Sequence, residues 1–129
     1  MSAAPESAPE SAPESASGLP PALAAFAGLD LRVGTVRSAR ENSAARDPAL
    51  VLEVDLGPQL GTRISSAQVT ANHEVGELVG QQVVVLCGLP PKRVAGVRSE
   101  VLVLAAVCPE RGNVLLAPQS PVADGSPVA

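Results

Sequence analysis

The sequence predicts an all-β protein, a small barrel of five strands, and three observations point there. Residues 50–56 place Leu50, Leu52, Val54 and Leu56 in alternation with Val51, Glu53 and Asp55, the period of a half-buried strand. Four more extended runs, the first alternating and the last two continuously apolar, are separated by Gly- and Pro-marked turns. Between the third and fourth of them lies one polar stretch, residues 69–79, long enough for a single short helix.

Taken in order, the chain opens on an acidic tail. Residues 4–15 repeat Ala-Pro-Glu-Ser three times. Proline at every fourth position blocks helix propagation, and Ala, Glu and Ser offer no face to bury. Residues 1–18 are therefore expected to be a disordered tail, with one folded domain over 19–129. A charge screen or docking tag is the functional alternative for the tail. From Pro20 to Phe26 the prolines suit a first helical turn and Gly28 a stop, which predicts a short N-terminal helix.

A first strand is expected over 29–39, then a polar loop over 40–48. The second strand spans 50–56, and Gly57-Pro58 with Gly61 turn the chain into a third at 61–67. Residues 82–89 form a fourth around Val83-Val84-Val85-Leu86, and 101–107 a fifth, apolar at every position. An extended piece near Val114–Leu116 leads into a Pro-rich C-terminal extension. Five strands with a helix between the third and fourth describe an OB-type barrel.

The fifth strand bears on assembly. Val101, Val103 and Ala105 face one way, and Leu102, Leu104 and Ala106 the other. A barrel wall needs only its inner face apolar. Leaving three aliphatic side chains uncovered would forgo on the order of 5 kcal/mol, comparable to a small domain's whole stability. The N-terminal helix and the C-terminal segment are expected to cover part of the outer face, and a second copy of the chain the rest. The expected assembly is a homodimer.

Composition excludes several function classes. With one Phe and no Tyr or Trp, the chain lacks the aromatic platform on which unpaired bases usually stack. Nucleic-acid binding would have to rest on charge and shape. The net charge is −4, but three of those negatives belong to Glu6, Glu10 and Glu14 of the tail, so the remainder is nearly neutral and local patches decide. Cys87 and Cys108 are far apart and sit in aliphatic runs, the setting of reduced, buried thiols. The sequence offers neither an 18-residue apolar run nor a signal-peptide pattern, so no membrane insertion and a cytoplasmic location are expected. His73, the only histidine, reads as a surface residue. Nothing stands at metal-ligand spacing, and no nucleophile-elbow or phosphate-loop motif occurs. Catalytic residues, metals and cofactors are all expected to be absent.

Binding has better support. In OB barrels the loops between strands 1 and 2 and between strands 4 and 5 frame the ligand surface. Arg40 and Arg46 fall on the first; Lys92, Arg93 and Arg98 fall on the second. For the first loop, plain solvation explains the charges equally well. In the second, Pro90-Pro91 and Gly96 make a stiff mount that solvation would not need. Arg63, beside Ser65, Ser66 and Gln68, extends the patch.

These segments also resemble a known family. Asp30-Leu31-Arg32-Val33-Gly34-Thr35-Val36, Val54-Asp55-Leu56-Gly57, Ser65-Ser66-Ala67-Gln68, and Pro90-Pro91-Lys92-Arg93 with Gly96 and Ser99-Glu100 are similar, in that order, to the tRNA-binding OB domain. Ser-Ser-Ala-Gln and Ser99-Glu100-Val101-Leu102-Val103-Leu104 resemble its CsaA-type export-chaperone branch. Gly88 stands where relatives often carry Asn. Val101-Leu102 replaces the Gly-Met of synthetase-appended relatives. The resemblance, over roughly residues 23–129, implies a homodimer that binds unfolded or precursor polypeptides in protein export and retains tRNA binding. It implies Arg63, Ser65, Ser66, Gln68, Lys92, Arg93, Arg98, Ser99 and Glu100 as RNA-binding positions. The alternative is a stand-alone tRNA-binding cofactor of an aminoacyl-tRNA synthetase.

Overall fold

The computed structural model describes residues 18–42, 49–68, 74–94 and 96–129. The expectations for the acidic repeat, Arg46 and His73 fall outside them. In chain order the elements are α1 (Pro21–Ala27), β1 (Asp30–Glu41), β2 (Leu50–Asp55), β3 (Thr62–Ala67), α2 (Val75–Leu78), β4 (Gln82–Cys87), β5 (Lys92–Val94), β6 (Val97–Ser99), β7 (Leu102–Val103), β8 (Ala105–Cys108) and β9 (Gly112–Leu115).

Five of these strands make one antiparallel sheet in the order β3-β2-β1-β4-β7. Its two ends meet where the Glu100 and Val101 amides both donate to the Ile64 carbonyl, at 2.7 and 3.3 Å. The result is the all-β, OB-type barrel that the strand pattern predicts, nearly closed, with α2 between its third and fourth strands.

β1 is long enough to serve two neighbours. Its first half pairs with β4, from Asp30↔Cys87 to Thr35↔Gln82. Its second half pairs with β2, from Thr35↔Asp55 to Glu41↔Leu50, with a bulge between Val36 and Ser38. A bulge sharpens the local twist and lets one strand turn a barrel corner. Gly34 permits the crossing: a Cβ there would lie 2.5 Å from Val54 Cγ1 and 2.8 Å from the Asp55 carbonyl oxygen. The ladder corrects one expectation. Arg40 was assigned to a loop, but it is a strand residue opposite Val51, because β2 supplies partners as far as Leu50.

The hydrophobic core is built from aliphatic side chains. Val36, Leu50, Leu52, Val54, Leu56, Val83, Val85, Val101 and Val103 fill the barrel, and Leu78 of α2 joins them. Burial of such side chains contributes roughly 1.5–3 kcal/mol each, so packing numbers take the place of aromatic bulk.

Two further corrections concern the edges. The fifth strand was expected to run unbroken over 101–107. The chain does stay extended, but it changes partners at Leu104, whose amide donates to Val84 while its carbonyl accepts from Leu116. Beyond that point β8 and β9 form their own hairpin, with Ala105 opposite Leu115 and Cys108 opposite Gly112. Helix α1, expected to cover the outer face, buries none of its residues. Leu23, Phe26 and Leu29 stay exposed, as do Leu102, Val107 and Leu116.

The C-terminal extension is integral to the barrel. Gly125 donates to the Val33 carbonyl, Val33 to Ser126 and Val128 to Leu31, at 2.7–2.9 Å, so the segment lies along the first half of β1. Asp124 anchors it: Thr35 Oγ1 donates to Asp124 Oδ1 at 2.6 Å, and Arg37 lies 3.5 Å from Asp124 Oδ2. Gln82 grips the Val122 backbone through both its amide atoms, at 2.7 and 3.0 Å. Among the described residues, no helix is long and apolar enough to cross a membrane.

Candidate functional site

The Pro90-Pro91 corner delivers the chain into a two-stranded ribbon, not the loop expected. Lys92 pairs with Ser99, Arg93 with Arg98 and Val94 with Val97. Gly96 closes the turn at φ +84°, a value that L side chains rarely adopt. Gly88, before the prolines, has φ +81°. That left-handed value suits glycine, which has no Cβ to clash there.

Directly opposite residues of a ladder point to the same face, so the Arg93 and Arg98 side chains share one. Like charges so placed destabilise a ribbon, on the scale of about 0.2–1 kcal/mol for a cross-strand pair. Arg93 Nη1 donates to the Gly96 carbonyl at 3.2 Å, which draws its guanidinium over the turn. Among the described residues, no carboxylate pairs with Lys92, Arg93 or Arg98; the ion pairs there are Arg32–Asp30, Arg37–Asp55 and Arg37–Asp124. All three ribbon cations are exposed. The ribbon therefore concentrates positive charge that no carboxylate among the described residues neutralises.

What holds this ribbon to the barrel is the meeting of two motifs. Ser99 Oγ accepts the Ser66 amide at 3.2 Å and donates to the Val101 carbonyl at 3.4 Å. Glu100 Oε1 accepts the Ile64 amide at 3.1 Å. Ser99 and Glu100 thus satisfy the free edge of β3, a structural task that the sequence did not reveal. Ser66 contributes through its backbone. Gln68 is exposed, and its carbonyl accepts from Asn113 Nδ2 at 2.8 Å.

Ser65 needs a correction. Expected at the binding surface, it is fully buried, and its Oγ has no hydrogen-bond partner among the described residues. The alternation of β3 turns it inward with Ala67, so it stands behind the surface.

Arg63 lies elsewhere, beside a cleft of about 270 Å³ at one end of the barrel. Its Nε donates to the Leu60 carbonyl at 3.0 Å. Leu56 and Val101, both buried, line the cleft, together with exposed Leu89 and half-buried Cys87 and Glu100. Burial raises the Cys87 thiol pKa above its ordinary value. The Asp30 carboxylate pushes the same way, and the positive charges of Arg32 and Arg63 oppose it. Sequence reading missed Leu60, Cys87 and Leu89 because no motif joins them; only barrel closure does.

Comparison with known proteins gives one consistent picture. Residues 31–127 match the family described as "Putative tRNA binding domain". The crystal structure of chaperone CsaA from Bacillus anthracis superposes with a TM-score of 0.78 at 46% identity, covering 83% of this chain and 96% of that one. CsaA chaperone protein from Picrophilus torridus gives a TM-score of 0.78 at 34% identity, covering 83% and 97%. A methionine–tRNA ligase from Methanococcoides burtonii is 38% identical over 101 residues, which are 78% of this chain but only 14% of that enzyme.

Proposed function

Because the chain belongs to the tRNA-binding domain family, with a fold shared with CsaA chaperones, we propose that it is a non-catalytic binding protein of the CsaA type. It holds tRNA phosphates on the arginine ribbon and unfolded or precursor polypeptide on its exposed aliphatic surface. One observation carries the RNA part: Arg93 and Arg98 face each other with no carboxylate between them among the described residues. A cross-strand like-charge pair costs stability in the free protein and is relieved by a bridging anion such as phosphate. Lys92, Arg93 and Arg98 make the contacts, Arg63 and Gln68 extend them, and Ser66, Ser99 and Glu100 hold the ribbon in place.

The polypeptide part rests on the exposure of Leu102, Val107 and Leu116, together with that of Leu23 and Phe26 of α1. A seven-residue helix does not persist in water by its own hydrogen bonds. A second copy of the chain covering α1 gives a homodimer, and client polypeptide lies in the grooves beside that seam. The setting is cytoplasmic, with protein export as the context of the chaperone role. The ligase similarity favours a second reading, a tRNA-binding cofactor that helps a synthetase retain its substrate.

A tRNA gel shift repeated across salt concentrations, beside an aggregation-suppression assay on an unfolded client, tests both partners. Phosphate-driven binding falls steeply with salt, whereas apolar capture of polypeptide barely responds. No shift at low salt removes tRNA as a partner. Failure to protect any client leaves the synthetase-cofactor reading.

A further inference from the structure

The cleft beside Arg63 is separate from the arginine ribbon yet joined to it. Glu100, which lines the cleft, follows directly on Ser99, the residue paired with Lys92 at the ribbon's base. The base of the ribbon is thus one residue of protein backbone away from the cleft. The cleft has a buried aliphatic wall in Leu56 and Val101, a thiol in Cys87, and charged groups in Arg63, Asp30 and Glu100. Its volume of about 270 Å³ is small, near the lower limit of ordinary ligand pockets.

We propose that this cleft receives one unstacked nucleobase of a single-stranded RNA segment whose phosphates lie on the arginine ribbon. The inference rests on the RNA reading of that ribbon and adds a base contact to it. Charge decides the occupant. An aliphatic side chain from a polypeptide would satisfy Leu56 and Val101 but would take Arg63, Asp30 and Glu100 out of water with only the partners they already hold, the Leu60 carbonyl, Arg32 and the Ile64 amide, leaving their remaining hydrogen-bonding capacity unmet, which is costly. A base offers the aliphatic wall a π-face and offers the charged groups hydrogen-bonding edges. In a chain with no Tyr or Trp, the guanidinium plane of Arg63 supplies the stacking partner that aromatic rings supply elsewhere. Arg63 Nε is tied to the Leu60 carbonyl, which fixes that plane beside the cleft. Barrel closure then makes single-stranded or looped RNA preferred over duplex, whose bases are not free to enter.

The test is photocrosslinking of the full chain to a thiouridine-containing single-stranded oligonucleotide, with the crosslinked peptides mapped by mass spectrometry. The expected result is attachment at Cys87–Leu89 or around Arg63, competed by the unmodified single strand and not by its duplex or by an abasic strand of equal phosphate number. Arg63→Ala is expected to weaken single-strand binding about tenfold, equivalent to about 1.4 kcal/mol and within the range for stacking one base, a larger loss than for a duplex of equal phosphate number. Crosslinks confined to residues 92–98, or absent although the gel shift persists, overturn the base pocket and leave the ribbon reading intact. Competition by an apolar peptide but not by the abasic strand or the duplex, with Arg63→Ala without effect on RNA, assigns the cleft to polypeptide and also overturns it. No gel shift at all removes the ribbon reading, and the pocket with it.

Discussion

Arg93 lies opposite Arg98 across the β5–β6 ribbon, both side chains on one face and neither paired with a carboxylate among the described residues. The pair trades ribbon stability for affinity, so the two properties separate on mutation. Arg98→Glu puts opposite charges across the ladder and is expected to leave stability unchanged or raise it by up to about 1 kcal/mol. The same change weakens tRNA binding and lowers the slope of log K against log salt by at least about 1. Thermal melts beside salt titrations check both; a parallel loss of stability and affinity would show a structural role instead.

Ser99 and Glu100 predict the reverse pattern. Each relieves an edge amide of β3, so Ser99→Ala and Glu100→Ala should each cost about 1–3 kcal/mol, the penalty of an unpaired donor. Glu100→Gln retains an acceptor and should recover most of that loss. Urea unfolding measures this series, and because the two residues are adjacent on one edge, the double variant should depart from additivity.

The buried hydroxyl of Ser65 has no partner to lose among the described residues. Ser65→Ala should be neutral or stabilising, by up to about 1–3 kcal/mol of relieved desolvation, and should leave tRNA affinity unchanged. A drop in affinity at constant stability would restore Ser65 to the interface.

Asp55 sets an acid limit. The Gly57 amide and the Arg37 guanidinium both hold its carboxyl below the ordinary value of 3.8. A folded-state pKa below the unfolded one contributes stability that is fully present above the unfolded value and is lost as pH falls through the folded one. Asp55→Asn should therefore destabilise at neutral pH, and its deficit should shrink below about pH 4. Urea midpoints measured against pH would show the two curves converging on the acid side; parallel curves would exclude the linkage.

Phe26 and Leu102 are exposed in the single chain, so Phe26→Asp or Leu102→Asp leaves the barrel core untouched. Sedimentation at micromolar concentration should find the parent protein dimeric and these variants monomeric. A monomeric parent would remove the proposed seam.

Much of this architecture was legible because period-two patterning is a local signal. Leu50 to Leu56 by alternation, and Val83 to Leu86 by an unbroken apolar run of strand length, declare their strands without reference to anything distant. The pairing of Glu100 with Ile64 and the change of partner at Leu104 were not legible, since neither residue carries a mark of its neighbour. The ribbon at Lys92–Ser99 was hidden by its brevity, three residues to a strand. Ser65 misled for a related reason: the motif Ser-Ser-Ala-Gln marks a place in the chain, while the pleat of β3 decides which of its serines faces water.

The dependence of β1 on the Gly125–Val128 segment constrains how the molecule is made. Arg32 and Val33 wait for partners synthesised some 90 residues later, so a ribosome-bound chain carries an incomplete first strand through most of its elongation. Until that final strip arrives, the unfinished margin is a template for intermolecular pairing. A product truncated before Asp124 would thus be more than less stable: it would be adhesive, itself a client for the kind of protection proposed for the finished protein.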